Sequence, residues 1–217
     1  MDALVAAAVE AAAGGGVVRI VLVPTAAARQ RPAAAVAHGE RAFRAAAARA
    51  RVLVDVEAAL VVDAASAADP ANVGLLEGAH LVHLPGGDPD LIPSVLRGSP
   101  AWAAILRAHA AGACVAGASA GAMALGDRLW TPRGAAEGLG LVPATAVLPH
   151  FDARRLASWR RSVDPESRLA WVGLDEQTLV IGRPGEPWLV AGAGRARVFG
   201  PAGAAGEAGD GGALALG

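Results

Sequence analysis

The segment of this chain best suited to chemistry is Gly117-Ala118-Ser119-Ala120-Gly121. It follows the apolar run Cys114–Ala118 and opens onto a helical pattern from Ala120 to about Leu125. A G-x-S-x-G sequence between a strand and a helix predicts a sharp elbow that lifts the serine oxygen above the sheet edge. The flanking glycines leave room where side chains would collide. The following helix turns its free N–H groups and positive dipole end toward the serine, an environment that favours developing negative charge. The chemistry this predicts is acyl transfer with Ser119 as nucleophile and the N–H of Ala120 as one oxyanion donor. A second donor must come from another strand end. His83-Leu84-Pro85-Gly86-Gly87-Asp88 supplies one, and the N–H of Gly87 is the expected group.

A serine hydroxyl needs a general base, and histidine is the usual one at neutral pH. Of five histidines, His38 and His109 lie in alanine-rich helical stretches. His80 and His83 sit on a predicted central strand, as core residues, with His83 nearer the strand end. His150 ends the apolar run AVLPH after the elbow, where a base would be placed. The third member is expected among the acids from the elbow to just past His150. Asp152 is too close in sequence to reach back to the ring, and Asp127 is the rival that can instead brace the elbow helix. Glu137, read as lying on a loop before Gly138-Leu139-Gly140-Leu141, is the preferred orienter. A Ser-His dyad held by a backbone carbonyl stays open.

The elements that would position these groups follow from the hydrophobic pattern. Val17–Val23, His80–Leu84 and Cys114–Ala118 read as strands buried on both faces, with further apolar runs at Val52–Val56 and Leu60–Asp63. Helical stretches fall at Asp2–Ala13, Arg31–Arg51, Ala71–Gly78, Asp88–Leu96 and Ala101–Ala111. A strand approaches His150, and an arginine-rich helix runs from Ala153 to about Arg161. Strands alternating with helices imply a three-layer α/β/α domain with a mostly parallel central sheet. From Trp171 short strands joined by Gly/Pro turns read as a C-terminal β-meander. One domain over residues 1–200 is expected, with 201–217 a Gly/Ala tail.

With 217 residues the chain can bury one large core unaided. Cys114 is the only cysteine, which excludes an internal disulfide framework and leaves no thiolate pair for a metal. The histidines lack paired ligand spacing, so no metal and no cofactor are expected. The net charge is -1, against a nucleic-acid partner. All 19 basic residues are arginine, the mark of a composition rich in alanine and poor in lysine. Mean hydropathy is +0.41, yet the longest uncharged central stretch, Ala108–Gly126, is broken by His109 and several glycines. It makes a poor membrane span. The opening Met1-Asp2 lacks a basic leader, so a cytoplasmic location without membrane association is expected. Exposed tryptophans such as Trp188 are compatible with a homodimer.

The elbow Gly-Ala-Ser-Ala-Gly-Ala resembles that of the S51 serine peptidases, the family of cyanophycinase and aspartyl dipeptidase. Four further segments agree: Val21–Thr25, Pro85–Asp88, Gly138–Leu141 leading to His150-Phe151, and the GLDEQT run of Gly173–Thr178. The resemblance runs from about Val17 to about Phe199. It implies a class I glutamine amidotransferase-like fold and hydrolysis of short peptides, with Ser119 as nucleophile, His150 as base, and Gly87 with Ala120 as oxyanion hole. Pro89 stands where cyanophycinases carry a polar residue, which points away from the cyanophycin polymer. Arg154, with Arg155, Arg160 and Arg161, suits an acidic or β-aspartyl peptide. Asp88 and Arg154 are the expected substrate contacts. The rival readings are a small-molecule amidase or esterase and a non-catalytic binding protein of the same fold.

Overall fold

The computed structural model describes residues 1–13, 15–183, 185–200 and 203–216. Its contacts divide the chain into two compact units, Met1–Gly121 and Ala122–Gly217.

The first unit opens with α1 (Asp2–Ala11) and β1 (Val18–Leu22), followed by a 3-10 turn at Thr25–Ala27. Then come α2 (Pro32–Ala50), β2 (Val54–Ala58), α3 (Pro70–Glu77) and β3 (Leu81–Leu84). It closes with α4 (Leu91–Leu96), α5 (Pro100–Ala110), β4 (Cys114–Gly117) and the start of α6 (Ala120–Leu125). Prolines at the first helical position start α2, α3 and α5, where a missing N–H costs nothing. Asp69 and Ser99 cap α3 and α5 by accepting from Ala71 N and Trp102 N. The four strands are all parallel in the order β2-β1-β3-β4. The chain moves one way from β1 to β2 and the other way from β2 to β3 and β4. Right-handed crossovers therefore put α2 on one face and α3 and α5 on the other, the three-layer arrangement expected. The order reverses between β1 and β3. Outside the carboxyl ends of strands at such a reversal, a doubly wound sheet leaves a crevice for ligands. Leu60–Asp63, the second of the two short apolar runs, is irregular chain. Thr25 Oγ1 donates to Val61 O at 2.7 Å, and that bond holds the segment outside the ladder.

His83 faces α2 and meets the Phe43 ring edge-on, with centroids 5.3 Å apart. It is 8% exposed and its Nδ1 has no hydrogen-bond partner. Burial lowers its pKa from 6.5 to about 4. The folded value lies below the unfolded one, so on acidification the unfolded chain takes up the proton first. Stability is therefore fully kept above pH 6.5 and lost as the pH falls toward 4, in total by about 3 kcal/mol. Urea titrations at pH 7.5 and 5 should show about 2 kcal/mol of this loss in the wild type and a clearly smaller one in His83→Leu.

The second unit holds the rest of α6 and the hairpin of β5 (Arg128–Thr131) and β6 (Gly134–Glu137). There follow β7 (Thr145–Pro149), α7 (Ala153–Val163) and β8 (Ala170–Leu174). β9 (Thr178–Ile181), β10 (Trp188–Gly192), β11 (Ala196–Gly200), β12 (Gly203–Ala208) and β13 (Ala213–Leu214) complete it. β7 and β8 pair in parallel around α7, and antiparallel β11 and β12 extend that sheet as β12-β11-β8-β7. A separate antiparallel sheet runs β13-β10-β9. The C-terminal meander is thus present, and it takes in part of what composition marked as a tail. Ladder bonds are made by backbone, so Gly203–Ala208 pairs with β11 despite side chains of low strand preference. Trp171, Leu148 and Val163 centre one core cluster, against which Trp130 and Trp159 pack. Those two indoles stack 4.9 Å apart and 4° from parallel, joining the hairpin to α7.

No described helix is long and apolar enough to cross a membrane.

Candidate active site

In the first unit, Ser119 sits between β4 and α6 with φ of 51°, a left-handed conformation that costs a non-glycine residue roughly 1–2 kcal/mol. That is the strained elbow the motif predicts. It is held from below: Ala118 N donates to Leu84 O at 2.9 Å, and Gly121 N to Ala118 O at 2.8 Å. Gly121 has no room for a side chain, since a Cβ there would lie 2.8 Å from the Leu84 carbonyl carbon. Ala120 begins α6, so its N–H has no acceptor within the helix.

The turn after β3 lies against the serine. A Cβ on Gly86 would fall 3.0 Å from Ser119 Cβ and 3.6 Å from its Oγ. Gly87 has φ of 151°, and a Cβ there would press to 2.9 Å from Ala27 N and 2.5 Å from the Ala26 carbonyl carbon. Only glycine fits at that point. Asp88 N donates to Ala26 O at 2.8 Å, so the turn is stitched to the 3-10 turn following β1. The Asp88 carboxylate, expected on substrate, is engaged within the protein. Its Oδ1 accepts from Asp90 N at 3.0 Å, and its Oδ2 from Arg29 at 3.2 Å. A short acid after two glycines is well placed to close its own turn.

In the second unit, His150 follows β7 with φ of 52°. Its Nδ1 lies 2.5 Å from Glu176 Oε1. The acid on the ring is therefore Glu176, where the sequence favoured Glu137. The topology explains the difference. β7 and β8 are parallel neighbours with Pro149 opposite Leu174, so the residues just past both strands meet at one sheet edge. Glu137 is not on a free loop; it ends β6, opposite Arg128 in the hairpin. Asp127 braces the chain before β7 rather than the elbow helix: its Oδ2 accepts from Ala144 N at 2.5 Å and its carbonyl from Gly138 N at 2.6 Å. Asp152 caps α7 through Arg154 N at 2.9 Å. A strand, a helix and a second strand from Val142 to Leu174 form a βαβ unit. That pattern, with the GLDEQT run at its end, was the signal for Glu176.

Arg154 and Arg155 lie exposed in the first turn of α7, with no ion pair among the described residues. Two of the other histidines have structural partners. His80 Nδ1 accepts from Arg19 N at 3.0 Å, and the His109 ring meets Ala113 O at 2.9 Å. Burial raises the Cys114 thiol to about 11, which makes it a poor nucleophile at neutral pH. Among the described residues no three or more His, Cys, Asp or Glu side chains gather as a metal site.

The solved structure of a peptidase from an acI-B1 Actinobacterium matches with a TM-score of 0.81 at 24% identity, covering 98% of this chain and 88% of that one. A putative Peptidase E protein from Listeria monocytogenes EGD-e matches with a TM-score of 0.54 at 17% identity, covering 81% and 86%. These similarities establish the fold. No curated protein matches the sequence. The model of peptidase family S51 covers residues 3–186, which include the serine elbow, the double-glycine turn, His150 and Glu176. A match over that much of the sequence makes the chain a member of peptidase family S51.

Proposed function

We propose that this protein is a serine peptidase in which Ser119 attacks the scissile carbonyl and His150 carries the proton, with Glu176 orienting the imidazole. The left-handed Ser119, with the Gly86-Gly87 turn packed against it, is the observation that carries the reading. A carboxylate on Nδ1 keeps that nitrogen protonated, so Nε2 is the basic one and the nitrogen that would take the serine proton. The N–H groups of Gly87 and Ala120 would stabilise the oxyanion as it forms. The first half-reaction then leaves an acyl-Ser119 ester and releases the amine; water, activated by the same imidazole, hydrolyses the ester.

The exposed guanidinium groups of Arg154 and Arg155 support short acidic or β-aspartyl peptides as substrates, because a planar fork pairs with a carboxylate through two hydrogen bonds. Incubation with a fluorophosphonate probe, followed by peptide mapping, should place a single adduct on Ser119. Folded protein that takes up no probe would overturn the peptidase mechanism. Turnover of esters with no turnover of peptides would reassign the substrate class.

A further inference from the structure

The side chains of His150 and Glu176 are 49% and 75% accessible, so burial does little to hold them. An ion pair this open has little rigidity of its own. The neighbouring chain supplies contacts that can hold it in place. Phe151 directly follows His150 and Asp175 directly precedes Glu176, and one side chain grips both. Arg197, on β11, places its guanidinium carbon 4.8 Å from the Phe151 ring centroid, and its Nη1 donates to Asp175 Oδ1 at 2.7 Å. Its side chain is only 21% exposed, and Glu207 Oε2 lies 3.3 Å from its Nε.

The gripped residues are also held from other sides. Phe151 stacks on Phe199 at 5.6 Å, and its N donates to Leu174 O at 2.9 Å. Gly173 leaves the space the ring occupies, since a Cβ there would fall 2.9 Å from Phe151 Cε2. Asp175 exchanges backbone and side-chain bonds with Arg195: Asp175 N donates to Arg195 O, and Arg195 N to Asp175 Oδ2, both at 3.1 Å. Arg197 is the group that joins the two sets. A guanidinium over an aromatic face is held through the ring quadrupole, while its edge remains available for a carboxylate.

We propose that Arg197 is a positioning residue for the His150–Glu176 pair, acting through Phe151 on one side and Asp175 on the other. Arg197 lies beyond residues 3–186, so the family match does not bear on it. The proposal rests on the reading of His150 as the base for Ser119.

The test is the rate of Ser119 labelling by a fluorophosphonate at saturating probe, measured for wild type, Arg197→Ala and Arg197→Lys. Each variant is then repeated in a Glu176→Gln background. Arg197→Ala should slow the chemical step about 10–100-fold with probe affinity unchanged, as expected when a reacting group is displaced by about an ångström. Arg197→Lys keeps the charge but loses the planar fork, and should recover part of the rate. In the Glu176→Gln background the Arg197→Ala loss should largely vanish, because there is no longer a pair to position. The imidazole Nδ1–H signal of His150 in a proton–nitrogen spectrum should weaken in Arg197→Ala. Undiminished labelling of folded Arg197→Ala, or an equal loss in both backgrounds, would overturn the positioning role alone. Wild-type protein that fails to label at all would instead overturn the reading on which it rests.

Discussion

Replacing Glu176 with glutamine is expected to slow acylation of Ser119 by about 10³–10⁴-fold, the scale seen when the orienting acid of a serine–histidine pair becomes an amide. The carboxylate is 2.5 Å from His150 Nδ1 and accepts a hydrogen bond from it. An amide that turns its NH₂ toward the ring would donate instead, stabilising the tautomer whose Nε2 already carries a proton and cannot act as base. The loss should fall on the chemical step, leaving probe affinity intact. Glu137→Gln, at the end of β6, should stay within a few-fold of wild type. Stopped-assay labelling rates with both variants decide the assignment. A large loss in Glu137→Gln with little in Glu176→Gln would restore the acid that sequence alone preferred.

The second large effect concerns stability at the elbow. Gly121→Ala would set a methyl group 2.8 Å from the Leu84 carbonyl carbon and into its oxygen. That oxygen cannot swing aside without losing the bond from Ala118 N, one of those that carry the elbow. Crowding of backbone against backbone has little room to relax, so the cost should be about 3 kcal/mol or more, at the upper end of overpacking penalties. Gly74→Ala provides the opposite case. Nothing stands within 4 Å of a Cβ at that position in α3, and the substitution should stabilise the helix by about 0.5–1 kcal/mol. Urea unfolding of both variants checks the pair of signs. A Gly121→Ala protein as stable as wild type would mean that β3 and α6 are packed more loosely than the structure shows.

The contrast between Ser119 and Glu176 shows what could be read in the sequence. The elbow is a local event: an apolar run, a tight glycine-flanked turn and a helix adjoin in the chain, so its geometry was legible from a few residues. The strand end at His150 was legible for the same reason. Glu176 is 26 residues from His150 and meets it through the parallel pairing of β7 with β8, a relation that hydrophobic pattern alone does not reveal. The acids that lie from the elbow to just past His150 are near the base in sequence, whereas Glu176 lies beyond α7. The β5–β6 hairpin escaped notice because its second strand, Gly-Ala-Ala-Glu, has little strand character and is held by pairing with Arg128–Thr131. β12 was missed on the same ground. Asp88 shows a different limit: an acid beside the elbow also shapes its own turn, which residue type alone does not reveal.

The stacked Trp130 and Trp159 have an optical consequence. The chain contains no tyrosine and five tryptophans, of which Trp102 alone lies in the first unit. Two indoles 4.9 Å apart and nearly parallel couple their excited states. The second unit therefore carries an exciton signal in circular dichroism that depends on α7 lying against the β5–β6 hairpin. Among the described residues Trp102 has no such partner, so the chromophores themselves separate loss of structure in one unit from loss in the other.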